Sequence, residues 1–192
     1  MTFLPTGLYK NVTLNDVQLA SAYYPILIDL AKHKHCLTYS ELVERAKKTY
    51  PTKPAVQSAI AVSTGRKLDV VRLFTNERGL PDLTCLVISK DNGECGPGFT
   101  DHFDPVAARQ KVFSFDWNTV STDFDGFIQH TTTSITPRKR IKRPAALKLM
   151  SEHYSTHKSQ LPANTPQLRD LILELLMDGF SPEEAFSQAV QP

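Results

Sequence analysis

The 192-residue sequence lacks any apolar run long enough to cross a bilayer, which takes about 18 consecutive residues. Its first ten residues, MTFLPTGLYK, have no basic start followed by an apolar core, so they do not read as a secretory signal. Cysteine is scarce. Cys36, Cys85 and Cys95 are odd in number and have no paired spacing, which argues against a disulfide framework and for reduced thiols in a cytoplasmic protein. Net charge is also small, at +2, so no strong global field acts on a partner. What charge asymmetry there is must be local.

Helical periodicity dominates the first third of what is present. Asn15 is placed to cap a helix through DVQLASAYYPILIDLAKH, with Val17, Leu19, Ala20, Tyr23 and Tyr24 on one face and Pro25 expected to kink or split it. In TYSELVERAKKTYP, Thr38 and Glu41 have capping-box spacing, with Leu42, Val43 and Ala46 facing inward. KPAVQSAIAVSTG predicts a third helix entered at Pro54 and left at Gly65, and RKLDVVRLFTNERG a fourth. The period then changes. LTCLVIS predicts a strand, KDNG a hairpin turn, and Phe99 the start of a return strand. DPVAARQKVFSFDW predicts a helix packing Val106, Val112 and Phe113. The polar stretch NTVSTDFDGFIQHTTTSIT has no clear period and reads as loop or linker.

The expected fold class is therefore α+β: a winged helix-turn-helix at about 10–115, a polar linker with a basic run over 116–143, and a helical segment over 144–192. In that last segment PAALKLMSEHYSTH predicts one helix. TPQLRDLILELLMDGF predicts a second, amphipathic through Leu168, Leu171, Ile172, Leu175 and Leu176. SPEEAFSQAV predicts a third, with a Ser181–Glu184 capping box. These helices pack either in cis or across a homodimer.

Several motifs invite a chemical reading. Cys85 in LTCLVI is first a small apolar core side chain, because no base stands beside it. His33, His35 and Cys36 lack the second ligand pair of a structural zinc site, and His153 with His157 lacks the Glu of a catalytic zinc helix. Pro81-Asp82 with Lys90 lacks the second carboxylate of a metal-dependent nuclease, since Ile88 stands in its place. No cofactor, no metal and no enzymatic activity are expected. The basic run is different. Arg138, Lys139, Arg140, Lys142 and Arg143 repel one another and gain by meeting phosphates.

Residues 38–99 resemble the DNA-binding domain of the O6-alkylguanine-DNA alkyltransferases and alkyltransferase-like proteins. Thr38-Tyr39-Ser40-Glu41-Leu42-Val43 is similar to the family's T-Y-G-E-L-A, and Ala55-Val56-Gln57-Ser58-Ala59 to part of R-A-V-G-x-A. Leu83 to Ile88 stands where P-C-H-R-V-V belongs, and Gly93, Gly96, Gly98 and Phe99 match the closing glycines. The pattern is closer still to a divergent group of bacterial and mobile-element proteins. The resemblance implies a winged helix with its recognition helix at Pro54–Thr64. It does not imply alkyl transfer, because the family's Arg falls on Pro54 and its His on Leu86. The nucleic-acid-binding residues then expected are Thr38, Tyr39, Lys53, Gln57, Ser58, Arg66 and Lys67, with Arg138, Lys139, Arg140, Lys142 and Arg143 of the basic run.

The expected function is a non-enzymatic double-stranded-DNA-binding protein, a regulator or accessory factor of a bacterial phage or mobile element. It would be cytoplasmic, and nucleoid-associated when bound to DNA. The alternative is a protein-interaction module, such as a phage- or plasmid-encoded inhibitor of a host system, with Leu168–Phe186 facing the partner, which could be a host protein. Two acids in the expected wing, Asp91 and Glu94, favour that alternative.

Overall fold

The computed structural model describes residues 11–119, 123–135 and 137–190; the opening segment Met1–Lys10 and residues 120–122 of the expected loop lie outside them. The chain divides into two compact units, residues 1–136 and 137–192.

Unit 1 is built round α1 (Leu14–His33), which runs unbroken through Pro25. Its cap is Thr13 rather than Asn15: the Thr13 hydroxyl accepts from the Asp16 N–H at 3.1 Å, and the Asp16 carboxylate accepts from the Thr13 N–H at 3.0 Å. Apolar residues surround α1 on several sides, with Leu19, Ala22, Tyr23, Tyr24, Leu27 and Leu30 all buried, so it is a central helix rather than a surface one. The capping box of α2 (Tyr39–Thr49) forms as the sequence predicts, from Thr38 and Glu41.

Beyond α2 the winged-helix expectation fails. The third helix is one turn, α3 (Pro54–Gln57), followed by a 3-10 turn at Ala61–Ser63. Gly65 lies inside α4 (Thr64–Glu77) rather than ending the helix before it. Leu83–Leu86 is a 3-10 turn, because the Asp82 carboxylate accepts from the Thr84 N–H at 2.9 Å and curls the chain. Only Val87–Ile88 (β2) is extended. It pairs in parallel with Leu37–Thr38 (β1), not with a following strand. KDNG does turn, with Gly93 at φ 67° and the Ser89 N–H donating to the Glu94 carbonyl at 2.7 Å. Residues Pro97–Thr100 then form a helical turn, α5, where the return strand was expected. Among the described residues there is no β-hairpin wing. The fold is mostly helical with a two-stranded parallel sheet.

The expected helix at Pro105–Ser114 (α6) forms, capped by Asp104. It buries Val112, while Val106 is exposed. Residues read as linker supply α7 (Phe124–Ser134), capped by Asp123. Its Phe124 stacks on Tyr24 at 3.9 Å between ring centroids, and Phe74 meets both rings edge-on. Such aromatic geometry adds to the area buried.

Unit 2 is a three-helix core of α8 (Arg143–His157), α9 (Arg169–Met177) and α10 (Pro182–Val190). Ser181 and Glu184 form the predicted box, with the Ser181 N–H donating to Glu184 at 3.0 Å. Ile172, Leu175, Leu176, Phe180 and Phe186 are buried together in this unit's own core. The apolar face proposed for a protein partner is therefore spent within the unit, Leu175 being 2% exposed.

Candidate nucleic-acid interface

The residues expected to bind nucleic acid in unit 1 are mostly committed to the fold. Thr38 caps α2. Tyr39 is half-buried, and burial raises its phenol pKa above the ordinary value. Gln57 donates its amide to the carbonyls of Lys47 and Tyr50, at 2.9 and 3.2 Å. Ser58 donates to the Ala55 carbonyl at 3.0 Å. Lys53 is exposed, with its ammonium 4.4 Å from the centre of the Tyr50 ring.

Arg66 and Lys67, read as phosphate contacts, both make ion pairs within the fold. Lys67 is 1% exposed, with its ammonium 3.4 Å from the buried Asp16 carboxylate. Arg66 reaches the same carboxylate at 3.1 Å and donates to the Asn11 carbonyl at 2.6 Å. Both cations tie the start of α4 to the start of α1. The sequence did hold a signal: Lys67, Val70, Val71 and Phe74 share the buried face of one helix.

Cys85 is likewise closed to chemistry. It is fully buried, and burial pushes its thiol well above the ordinary range. Cys95 donates to the Cys85 carbonyl at 3.4 Å, and burial raises its thiol to about 11. The nearest cation, Arg109, is held in two 2.8 Å bonds by Glu94, whose carboxyl those bonds hold down at about 2. So Glu94 is a clamp between the turn and α6, not an acidic wing. Arg109 lowers both thiols by less than burial raises them, so neither is held as a thiolate.

The basic run of unit 2 is arranged differently. Residues 138–142 form an extended strap leading into α8. Four contacts fix it to the turn between α9 and α10. The Arg138 guanidinium lies 4.0 Å from the centre of the Phe180 ring. Arg140 pairs with the buried Asp178 at 3.2 Å. The Ile141 N–H donates to the Met177 carbonyl at 3.1 Å, and Ile141 packs on the core. Gly179 adopts φ 91°, and a Cβ there would lie 2.6 Å from the Lys139 carbonyl oxygen, so only glycine lets the strap lie this close.

Anchoring Arg138 and Arg140 leaves Lys139, Lys142 and Arg143 exposed, none with an ion-pair partner among the described residues. Lys142 is the N-cap of α8 and makes no side-chain capping bond. Its position carries the positive end of the helix dipole, and the first turn offers the N–H groups of Arg143 and Ala145, Pro144 between them having none. Cations there oppose the dipole instead of complementing it. An anion seated at this end would relieve both.

Among the described residues, no three His, Cys, Asp or Glu side chains gather to hold a metal, and no helix is long and apolar enough to cross a membrane. Comparison with protein-family models, curated proteins and solved structures finds no match.

Proposed function

We propose that the protein is a non-enzymatic double-stranded-DNA-binding protein that grips the phosphate backbone through the strap of unit 2. A role as regulator or accessory factor of a bacterial phage or mobile element accords with it. The observation that carries this reading is the separation of tasks along the basic run. Arg138 and Arg140 hold the strap in place. Lys139, Lys142 and Arg143 stay solvated at an uncapped helix N-terminus, where folding alone disfavours them. Phosphates supply the missing charge and accept from the free helix N–H groups, with release of condensed counterions. Contacts of this kind position a protein on a duplex without reading its sequence.

The direct test is fluorescence anisotropy with a random duplex of about 25 base pairs at salt between about 50 and 200 mM. Binding that weakens steeply with salt supports the proposal, and absence of binding at the lower salt refutes it.

A stability measurement separates a binding role from a structural one. Lys142→Asp places a good cap and a favourable charge at the start of α8. It is expected to stabilise unit 2 by about 0.5–1.5 kcal/mol while weakening duplex binding. Thermal unfolding followed by circular dichroism, beside the anisotropy titration, checks both signs. If Lys142→Asp destabilised unit 2, the lysine would be serving the fold.

A further inference from the structure

His153 of α8 packs against two rings. The His157 ring stacks on it at 4.2 Å between centroids, with 27° between planes. The ring of Phe186 of α10 lies 4.6 Å from it, tilted by 42°. The His153 side chain is only 10% exposed. His157 Nδ1 lies 3.0 Å from the His153 carbonyl oxygen, the geometry in which it donates a proton there, which fixes the second ring in place one helical turn on. The charged groups acting on His153 are few. His157 comes from its own helix and Glu183 from α10, the Glu183 carboxylate being 3.8 Å from His153 Nδ1. The charged residues of α9, Arg169, Asp170 and Glu174, do not act on it.

We propose that this imidazole stack is an acid-operated release: protonation of His153 loosens α10 from α8 and with it the turn that anchors the basic strap. A proton on His153 places a cation, largely covered from water, against an apolar phenyl ring and a second imidazole. Protonating His157 as well puts two cations in face-to-face contact. Glu183 offsets this only weakly, because its side chain is 73% exposed and screened by water. Desolvation first, and His157 second, hold the His153 pKa below its ordinary value. The sign follows from linkage. The unfolded chain binds the proton more readily than the folded one, so the stabilisation is fully present above about pH 6.5. It is lost as pH falls from there through the lower folded value. The anchoring turn lies between α9 and α10: Asp178 holds Arg140, and Phe180 lies under Arg138. The release itself is independent of what the strap binds; its consequence for DNA rests on the function proposed above.

The test uses the full chain and two signals. Trp117 is the sole tryptophan, and it lies buried in unit 1, so its fluorescence reports that unit. Far-UV circular dichroism reports both units. Melting is recorded at pH 7.5 and 5.0. The expected result is a helix-loss transition, silent in Trp117 fluorescence, whose midpoint falls by about 5 °C or more at the lower pH. In His153→Phe, which keeps a ring at this position without a titrating group, that drop disappears. In His157→Gln it shrinks. The imidazole resonances of the native protein give a readout that needs no variant: His153 titrates below the ordinary histidine value of about 6.5. A pH-independent unit 2 transition would overturn the proposal. So would a drop that persists in a folded His153→Phe protein, or a His153 that titrates at or above the ordinary histidine value. None of these readings involves DNA, so failure of the release and failure of DNA binding are distinguishable.

Discussion

Replacing Asp16 by alanine is expected to cost unit 1 about 3–5 kcal/mol, a large part of what a domain of this kind has to lose. Two losses combine. Half of the capping box at the start of α1 is lost, since no carboxylate accepts from the Thr13 N–H, while the backbone N–H of residue 16 still donates to the Thr13 hydroxyl. More important, Lys67 stays buried without its carboxylate, at 1% exposure in the core beneath α4. Breaking a buried pair by removing one partner is far more damaging than removing both, because the desolvated charge that remains has no compensation. Arg66 is less affected, because it is partly exposed and keeps its bond to the Asn11 carbonyl. Denaturant unfolding followed by Trp117 fluorescence measures the effect in unit 1 alone. The double variant Asp16→Asn/Lys67→Met is expected to recover much of the loss, since an apolar side chain of similar length refills the site without a charge. A loss below about 1 kcal/mol in Asp16→Ala would mean that the pair is hydrated and contributes as a surface pair does.

The second large effect concerns binding. Neutralising Lys139, Lys142 and Arg143 together, as Lys139→Gln, Lys142→Gln and Arg143→Gln, removes three phosphate contacts under the proposed function. The slope of log affinity against log salt is expected to flatten by about three, with duplex affinity near 0.1 M salt falling roughly a hundred-fold or more. The fold is expected to persist, since none of the three is buried or ion-paired among the described residues. Arg138 and Arg140 are predicted to behave otherwise. Their replacement disturbs the strap's seat on Phe180 and Asp178, and so affects stability and binding together. Anisotropy titrations at several salt concentrations, paired with melting curves, separate the two classes. Equal effects from all five positions would remove the division of labour on which the account depends.

The sequence was most legible where local chemistry decides the outcome. The Thr38–Glu41 and Ser181–Glu184 boxes start helices where they were expected. The face through Leu171 and Leu175 announced the core of unit 2. It was least legible where a distant partner or one side-chain bond decides. Leu83 to Ser89 is apolar enough to be a strand, yet the Asp82 carboxylate curls its first half into a 3-10 turn, and what remains pairs with Leu37–Thr38 far back in the chain. No local pattern announces a parallel partner so remote. In α7 the polar run from Gln129 to Ser134 hides a helix whose inner face is Phe124, Phe127 and Thr131. Asp123, three residues before Gly126, was the capping signal for it. Lys67 misled for the opposite reason. A lysine is assumed to face water, and only its register with Val70, Val71 and Phe74 reveals that it turns inward to Asp16. The basic run was visible at once, but its internal division was not, because the anchors Phe180 and Asp178 come from another part of unit 2.

The most direct test of the central claim is an amide chemical-shift titration of the isotope-labelled full chain with a short random duplex at low salt. The account predicts that the largest shifts fall on Lys139, Lys142, Arg143 and the first turn of α8, while Thr38, Gln57, Ser58 and Lys67 of unit 1 remain still. Shifts centred on those unit 1 residues, or none anywhere, would contradict it.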